Sequence, residues 1–229
     1  MTSTVIVVGA GGFGRETLDV IEAHNAACPE EALEVLGVAD DAPSELNLQR
    51  LTARGYAYLG SSRQAFESHP HTAAIVAIGS PRARKAVAGS LAKHGVDFAS
   101  VCHPSAIIGS QFQSGTGYVI CGGALISTNV QLGDHVHLNP GVIVGNDSRL
   151  GDHVSVNPGA VISGECTVGD QVLVGASSVI LQGLAVGQAA TVGAAACVTK
   201  DVSPDTVNVG VPSRRLEPSR RPTPAASRR

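Results

Sequence analysis

The chain has 229 residues, of which 27 are glycine and only seven are aromatic (four Phe, three Tyr, no Trp). Apolar residues make up 43% and charged residues 15%, against roughly a quarter charged in an ordinary soluble domain. This much apolar material excludes a chain that is disordered throughout, because burying it offsets the entropy of ordering. High glycine with few aromatics favours a tight structural unit that is repeated many times. No stretch approaches the roughly 18 apolar residues of a membrane span.

A strand, a glycine turn and a helix are predicted at the start of the chain. Val5–Val8 is a short apolar run, Gly9–Gly14 matches the GxGxxG pattern, and Leu18, Ile21 and Ala23 continue at helical spacing. In such a turn the backbone approaches phosphate groups at the helix N-terminus. Three interpretations are open: a small nucleotide-binding domain, a nicotinamide-dependent enzyme, or a turn that binds nothing. Roughly 100 residues supply only half of a doubly wound sheet, which argues against the nicotinamide enzyme.

Two further strands and a helix are predicted in the first 100 residues. Val35–Val38 and Ala73–Ile78 are strand-like apolar runs, and Ala83–His94 is typical of a helix. Asp40 and Asp41 follow the second strand, about where a ribose-binding carboxylate lies in dinucleotide-binding folds. We therefore expect residues 1–100 to form a Rossmann-like α/β domain.

An uninterrupted six-residue repeat fills the second half of the chain. From Cys102 to Val198, fifteen of the seventeen residues at every sixth position are Ile, Leu or Val. Each six-residue unit is one short strand plus a turn, so three units close a coil of about 18 residues, and successive coils stack by parallel strand pairing about 4.8 Å apart. The repeat predicts a β-solenoid over residues 101–212. It also explains why aromatic residues are scarce, since only one aliphatic side chain per side points fully inward.

The coil length predicts vertical ladders of equivalent residues. Gly133–His135 is expected to lie directly under Gly151–His153. We therefore expect His135 and His153 to stack on an outer face. No metal site is expected, because no carboxylate or cysteine converges on these histidines by spacing.

The last residues, 213–229, contain six Arg and one Glu. This Pro-, Ser- and Ala-rich segment is expected to be a basic, disordered tail rather than a folded nucleic-acid-binding face. The five cysteines are odd in number and lack CxxC spacing, and no signal peptide is recognisable, so we expect a reduced, cytoplasmic protein. Neither a nucleic acid nor a membrane is expected as a partner.

The repeat resembles the left-handed parallel β-helix of hexapeptide-repeat acyltransferases. The likeness rests on the repeat itself and on the closing segments Val198–Val202 and Gly210–Arg214. It implies a homotrimer that binds acetyl-CoA as co-substrate between neighbouring helices. The residues implied to contact CoA are Gly175, Ala176, Gly193, Ala194, Val211 and Pro212. Periodicity alone predicts only the solenoid; its handedness, the trimer and CoA come from the resemblance.

The first domain is similar to that of bacterial sugar acyltransferases, a group that includes sialic-acid O-acetyltransferases and UDP-4-amino-sugar N-acetyltransferases. The likeness rests on Gly9–Glu16, Asp40–Asp41, Ala77–Ser80, Arg84 and His103–Ala106. It implies a nucleotide-sugar pocket. The residues implied to line this pocket are Gly11, Gly12, Phe13, Gly14, Asp40, Asp41, Gly79, Ser80 and Arg84.

The expected catalytic segment departs from the family pattern. The family places a catalytic histidine and an acidic residue where this chain has Asn146 and Asp147, and the amide of Asn146 does not accept a proton near neutral pH. A second family histidine falls at Ser155. Gly164 is kept, and its backbone N–H matches the family's oxyanion donor.

Three hypotheses follow from the missing histidines. In the first, the enzyme acylates an amine, which attacks in its neutral form and loses its proton afterwards to Asp147 or water; a hydroxyl acceptor would lose the roughly 10²–10⁴-fold that a general base contributes. In the second, His137, one coil before Ser155, is the base of an O-acetyltransferase. In the third, the chain is a catalytically impaired scaffold that binds nucleotide sugar or CoA. We adopt the first: an acyl-CoA-dependent N-acyltransferase acting on a sugar nucleotide or a related small acceptor.

Overall fold

The computed structural model describes residues 3–217, which form an α/β part followed by a β-solenoid. The helices are α1 (Gly12–Ala27), α2 (Glu45–Thr52), α3 (Ser62–Ser68) and α4 (Pro81–Lys93), with a 3₁₀ turn at Pro29–Glu31. The strands of the α/β part are β1 (Ser3–Val8), β2 (Leu33–Ala39) and β3 (Ala73–Val76). None of these helices has the length and apolar character needed to cross a membrane. The cytoplasmic location stays a prediction.

The α/β part is a parallel sheet in the order β2–β1–β3, with helices on both faces. Leu18 and Ile21 of α1 pack with the alternate strand residues Val5 and Val7 on one face. Residues of α3 and α4 pack on the other face, where Ile6 and Val8 point. α1 approaches the end of β1 very closely, because a Cβ at position 14, a glycine, would clash with the carbonyl oxygen of residue 9. The sequence predicts these three strands, the glycine turn, α1 and α4, but not α2 and α3.

The solenoid is built from short strands that pair in parallel with the strand one coil away. We define three faces by their strands. The junction face, which is covered in part by the α/β part, contains β4 (Val101–Cys102), β7 (Val119–Ile120), β10 (His137–Leu138), β13 (Ser155–Val156), β16 (Leu173–Val174), β19 (Thr191–Val192), β21 (Val207–Val209) and β22 (Arg214–Arg215). The apolar face contains β5 (Ile107–Ile108), β8 (Leu125–Ile126), β11 (Ile143–Val144), β14 (Val161–Ile162), β17 (Val179–Ile180) and β20 (Cys197–Val198). The polar face contains β6 (Gln113–Ser114), β9 (Gln131–Leu132), β12 (Arg149–Leu150), β15 (Thr167–Val168) and β18 (Ala185–Val186).

The second residue of each central two-residue strand points into the solenoid and is buried. Ile126, Leu138, Val144 and Ile162 are 0–1% exposed and belong to one continuous aliphatic core. These are the residues at every sixth position, so the predicted repeat and its phase are confirmed. The first residue of each strand points outward. These outward residues alone therefore decide whether a face is polar or apolar.

The folded chain extends past the boundary predicted at residue 212. Arg214–Arg215 pairs antiparallel with Asn208–Val209, and the N–H of Leu216 donates to the carbonyl oxygen of Val207. The prediction of a disordered tail is therefore wrong for residues 213–216, because their backbone groups pair with the last coils. Residues 218–229 of that predicted tail lie outside the described residues.

The predicted stacking of the two histidines is present at the corner between the polar and junction faces, but not on an outer face, since His135 is 5% exposed and packs against Phe98. The rings of His135 and His153 stack with centroids 5.0 Å apart and an interplanar angle of 4°. The ladder is fastened by carboxylates, since the N–H of Asp134 donates to Oδ1 of Asp152, one coil away, at 2.8 Å. Burial, together with the neighbouring His153, lowers the pKa of His135 from 6.5 to about 4. The imidazole of His135 is therefore neutral in the folded protein over most of the pH range in which a histidine of the unfolded chain becomes protonated.

Acidification is expected to destabilise the fold through this ladder. Because the folded-state pKa of His135 lies below its unfolded value, the unfolded state binds the proton first, and stability that is complete above pH 6.5 is lost as pH falls towards 4. Thermal unfolding at about pH 7 and pH 5 measures this loss. His135→Asn, which tolerates the left-handed backbone at this position (φ 55°) and does not titrate, should lose less melting temperature between the two pH values. An equal loss in both proteins would contradict the assignment.

Candidate active site

The predicted nucleotide-binding residues follow the three parallel strands of the sheet. Gly11–Gly14 comes after β1, Asp40–Asp41 after β2 and Gly79–Ser80 after β3. Since the carboxyl ends of parallel strands meet at one edge, the structure brings these segments to the same edge of the sheet, where ligands bind in open α/β folds.

The glycine turn leaves the N-terminus of α1 open. Gly11 is the N-cap residue and no side chain caps the helix. A Cβ added at Gly11 or Gly12 would meet nothing within 4 Å, so packing does not require glycine at these two positions. Uncapped N–H groups at a helix N-terminus attract anions. The open turn therefore suits a phosphate group.

Asp40 and Asp41 both have backbone partners. The Oδ2 atom of Asp40 accepts the N–H of Ala10 at 2.7 Å, which fixes the glycine turn to the end of β2, and its Oδ1 accepts the N–H of Ala42 at 2.9 Å. Oδ1 of Asp41 accepts the N–H of Ser62 at 2.8 Å and stabilises the start of α3. These carboxylates hold the edge of the sheet in shape, and their role as direct ligands of a nucleotide sugar stays a prediction.

His137, predicted as an alternative base, does not reach a solvent-accessible groove. Its ring is fully buried on the junction face and stacks on Phe13 of the glycine turn, with centroids 4.4 Å apart. Burial, with the charge of Arg84 nearby, places the pKa of His137 well below 6.5. The hypothesis of a catalytic His137 is corrected: a side chain enclosed between two packed domains cannot take a proton from an acceptor. Phe13 was predicted to contact substrate, but one face of its ring is covered by His137.

Ser155 lies next to His137 on the same face and also belongs to the domain junction. It is 1% exposed, and its hydroxyl donates to the carbonyl oxygen of Gly79 at 2.9 Å. Its predicted catalytic role is therefore corrected to fastening the loop between β3 and α4. Ser80 of this loop is exposed and accepts the N–H of Ala83 at 3.4 Å as the N-cap of α4.

Arg84, predicted to line the substrate pocket, is instead enclosed at the domain junction. Its side chain is 0% exposed. Nε donates to the carbonyl oxygen of His135 at 2.9 Å, Nη1 to that of Ile78 at 2.6 Å, and Nη2 to those of His153 and Val154 at 2.6 and 3.1 Å. Burial lowers the pKa of Arg84 to about 9, so the guanidinium remains charged near neutral pH. No carboxylate pairs with it among residues 3–217. This arginine is a clamp between α4 and two coils of the solenoid.

Replacing Arg84 is expected to cost stability rather than substrate affinity alone. Arg84→Met removes a donor from four carbonyl groups, of which only that of Val154 keeps a partner, the N–H of His137. Each buried acceptor left unpaired costs about 1–3 kcal/mol. We expect the free energy of unfolding in urea to fall by roughly 3 kcal/mol or more. Arg82→Met, at an exposed position of the same helix, is the matched control and should change it little. Equal stability of the two variants would refute the clamp.

The corner between the apolar and polar faces carries Asn146, Asp147 and Gly164, and we call it the site corner. Asn146 and Asp147 are exposed, and the Nδ2 of Asn146 donates to Oδ2 of Asp147 at 2.6 Å. A Cβ on Gly164 would lie 2.7 Å from Oδ1 of Asn146, so this oxygen faces the backbone of the next coil, and a larger residue at position 164 would displace the Asn146 side chain. The N–H of Gly164 has no partner within the described part of the chain. An amide oxygen and a free backbone N–H therefore lie side by side.

The carboxylate of Asp147 is held in its ionised form. Hydrogen bonds from Asn129 and Asn146 lower the pKa of Asp147 below its ordinary value. A carboxylate stabilised in this way is a weak proton acceptor. The site corner can thus donate a hydrogen bond from Gly164 and accept one at Asn146, but it offers no strong base.

Four of the residues predicted to bind CoA, at 175–176 and 193–194, lie on the corner between the junction and apolar faces. The other two, Val211 and Pro212, lie at the C-terminal end of the solenoid. A Cβ at Gly175 would clash with the backbone of Gly193 and Ala194, so coil stacking is sufficient to explain that glycine. Ala176 lies beside Gly175 on the same turn, and Ala194 follows Gly193 one coil on. Val211 is 75% exposed and precedes Pro212. Their contact with CoA stays a prediction.

Two cavities were not anticipated from the sequence. A cavity of about 270 Å³ near the CoA-binding prediction is lined by Lys200, Asp201, Val202, Asn208, Ser213, Arg214 and Arg215. Lys200 is separated in sequence from the adjacent Arg214 and Arg215, and the fold of the last coil brings it to them. A larger cavity of about 810 Å³ lies between α3 and α4 and shares only Asp41 with the predicted site. Within residues 3–217, no cluster of three or more ligating side chains suited to a metal ion is present.

Comparisons with known proteins agree with this arrangement. Residues 4–91 match the family model of the PglD N-terminal domain, and residues 147–182 match that of the bacterial transferase hexapeptide. In both of its parts the chain is similar to the hexapeptide-repeat sugar acyltransferases. The fold class expected from the sequence, a Rossmann-like α/β domain followed by a left-handed parallel β-helix, is confirmed, and so is the expectation of an acyltransferase. No curated protein matches the sequence.

Solved structures of this group align over almost the whole chain. WeeI from Acinetobacter baumannii AYE is 29% identical, with a TM-score of 0.80 over 94% of this chain and 100% of that one. The acetyltransferase domain of PglB from Neisseria gonorrhoeae FA1090, solved with acetyl coenzyme A, is 26% identical, with a TM-score of 0.81 over 94% and 100%. PerB from Caulobacter crescentus, solved with CoA and GDP-perosamine, is 24% identical, with a TM-score of 0.80 over 95% and 99%, and shows the shared fold.

Proposed function

We propose that this acyltransferase transfers an acetyl group from acetyl-CoA to an amino group of a sugar nucleotide or a related small acceptor. The observation that carries the proposal is the site corner, where the free N–H of Gly164 and the amide oxygen of Asn146 lie together without a base. The PglB acetyltransferase domain, which shares the fold, was crystallised with acetyl coenzyme A, which supports the choice of acyl donor.

The reaction needs an oxyanion donor and an oriented nucleophile. In our proposal the N–H of Gly164 donates to the thioester oxygen as it becomes negative, while Oδ1 of Asn146 accepts one N–H of the neutral amine and aims its lone pair at the carbonyl carbon. A C–N bond forms and the C–S bond breaks, so CoA leaves as a thiolate. The proton of the new ammonium passes to this thiolate, whose pKa of about 8.5 makes it a better acceptor than Asp147.

The proposed acceptor site is the carboxyl edge of the sheet. The uncapped N-terminus of α1 would hold the phosphates of the sugar nucleotide at Gly11 and Gly12, where no Cβ obstructs the approach. Gly14 would permit that approach indirectly, by letting α1 pack against the end of β1. The proposed contacts of Asp40, Asp41, Gly79 and Ser80 lie at the same edge.

The proposed homotrimer is supported by the apolar face. Ile107 is 64% exposed and Leu125 and Ile143 are 40% exposed, and they follow each other in one outward column. Contiguous exposed aliphatic side chains mark an interaction surface. The column borders the site corner, so a second copy of the chain on this face would enclose Asn146 and exclude water from it.

The proposed acetyl-CoA site is supported by the basic cavity at the end of the solenoid. Lys200, Arg214 and Arg215 line it close to Val211 and Pro212, in a chain whose formal net charge is −3. Clustered cations of this kind suit the phosphate groups of CoA. A scaffold that binds but does not react remains the rival, and the missing base is the observation that favours it.

Activity towards amines is the direct test of the proposal. Purified protein is mixed with acetyl-CoA and a panel of amino-sugar nucleotides and of their hydroxyl counterparts, and free thiol is followed. We expect thiol release with amines and little with hydroxyl acceptors, because a fraction of the amine is neutral and nucleophilic near neutral pH, whereas a hydroxyl needs a base to take its proton. Measurable ligand binding with no thiol release on the whole panel would support the scaffold instead.

Asn146→His tests whether the missing base restricts the acceptor. Asp147 is already placed to orient an imidazole at position 146, so the variant should gain activity towards hydroxyl acceptors, up to the roughly 10²-fold expected of a general base. Asn146→Ala, which adds no base, is the matched control. Equal hydroxyl activity in the two variants would contradict the account.

A further inference from the structure

A second asparagine holds the carboxylate beside Asn146. Asn129 lies one coil before Asp147 on the same ladder, and its Nδ2 donates to Oδ1 of Asp147 at 2.7 Å. Asn146 donates to the other oxygen, Oδ2, at 2.6 Å. The two carboxylate oxygens therefore have one amide donor each, from two different coils of the solenoid.

The backbone fixes the two ladder residues in matching positions. Asn129 and Asp147 both have left-handed backbones, with φ of 59° and 60°. The N–H of Asn129 donates to the carbonyl oxygen of Ser110 at 2.8 Å, and that of Asp147 donates to Thr128 at 3.1 Å. Because coil stacking sets both backbones, the two side chains leave the ladder side by side, within hydrogen-bond reach of each other.

This arrangement decides which way the amide of Asn146 points. A carboxylate only accepts hydrogen bonds, so the edge of Asn146 that faces Asp147 is its NH₂ edge. The opposite edge, Oδ1, is then directed towards Gly164 of the next coil. If the Asp147 carboxylate rotated away, Asn146 would lose the hydrogen bond that sets its NH₂ group towards Asp147 and its oxygen towards Gly164.

We infer that Asn129 is a positioning residue that, through Asp147, fixes the amide of Asn146 with its oxygen towards the acceptor. This inference rests on the proposed function, since the oriented oxygen is the group that accepts the N–H of the attacking amine. Asn129 touches neither substrate in this account. It acts by holding Asp147 in one rotamer and in its ionised form.

Asn129→Gly removes the side chain and keeps a residue that adopts the left-handed backbone freely. We expect kcat for the amine acceptor to fall about tenfold, the size of one charge-assisted hydrogen bond, with KM for acetyl-CoA within about twofold of the wild type. Gln111→Gly is the matched control, because Gln111 has the same left-handed backbone (φ 59°) one coil earlier on this ladder. The control should leave kcat unchanged.

An NMR titration of the Asp147 carboxyl carbon separates positioning from a general structural effect. In Asn129→Gly the pKa of Asp147 should rise, because one of its two amide donors is gone, and in Asn129→Asp it should rise further, because a second carboxylate faces it. An Asp147 pKa that is the same in wild type and Asn129→Gly, or an unchanged kcat in that variant, would overturn the inference. If wild-type protein acylates no amine, the proposed function fails, and the titration still decides whether Asn129 holds Asp147.

Discussion

The stacking of coils through parallel backbone hydrogen bonds is the constraint on which the site depends. Each strand pairs with its equivalent one coil away, as His137 does with Ser155, so a corner residue is placed directly over its counterpart. At the site corner this places Asn146 against Gly164 of the next coil, so close that a Cβ at position 164 would press on the amide oxygen. The backbone thereby fixes the free N–H of Gly164, and the hydrogen bond between Asn146 and Asp147 orients the amide oxygen beside it.

The same stacking gives the α/β part a rigid surface on which to dock. Arg84 reaches carbonyl oxygens on two successive coils, and Ser155 fastens the loop that follows β3. Phe13 of the glycine turn rests on His137. The proposed nucleotide-binding edge is therefore fixed relative to the solenoid by buried contacts, and the arginine that forms most of them is not free to contact a ligand.

The solenoid could be predicted from the six-residue period, because the phase of the repeat identifies the side chains that point inward. It also predicted the stacked histidines His135 and His153, since ladder position follows from coil length alone. It could not show which of the three faces is covered by another part of the chain. The repeat position therefore predicts a groove at His137 and Ser155, and the family resemblance predicts a substrate contact at Arg84, although all three are buried at the junction. The cations that line the basic cavity and the contact between Asn129 and Asp147 likewise depend on the three-dimensional fold.

The central claim is that the acceptor amine attacks without a base supplied by the protein. The most direct measurement is the pH dependence of kcat/KM with two acceptors whose amino groups differ in pKa. If the amine must shed its own proton first, the midpoint of the rising limb follows the pKa of each acceptor and moves between the two profiles. A midpoint that is the same for both acceptors would reveal a titrating base on the protein and would contradict the account.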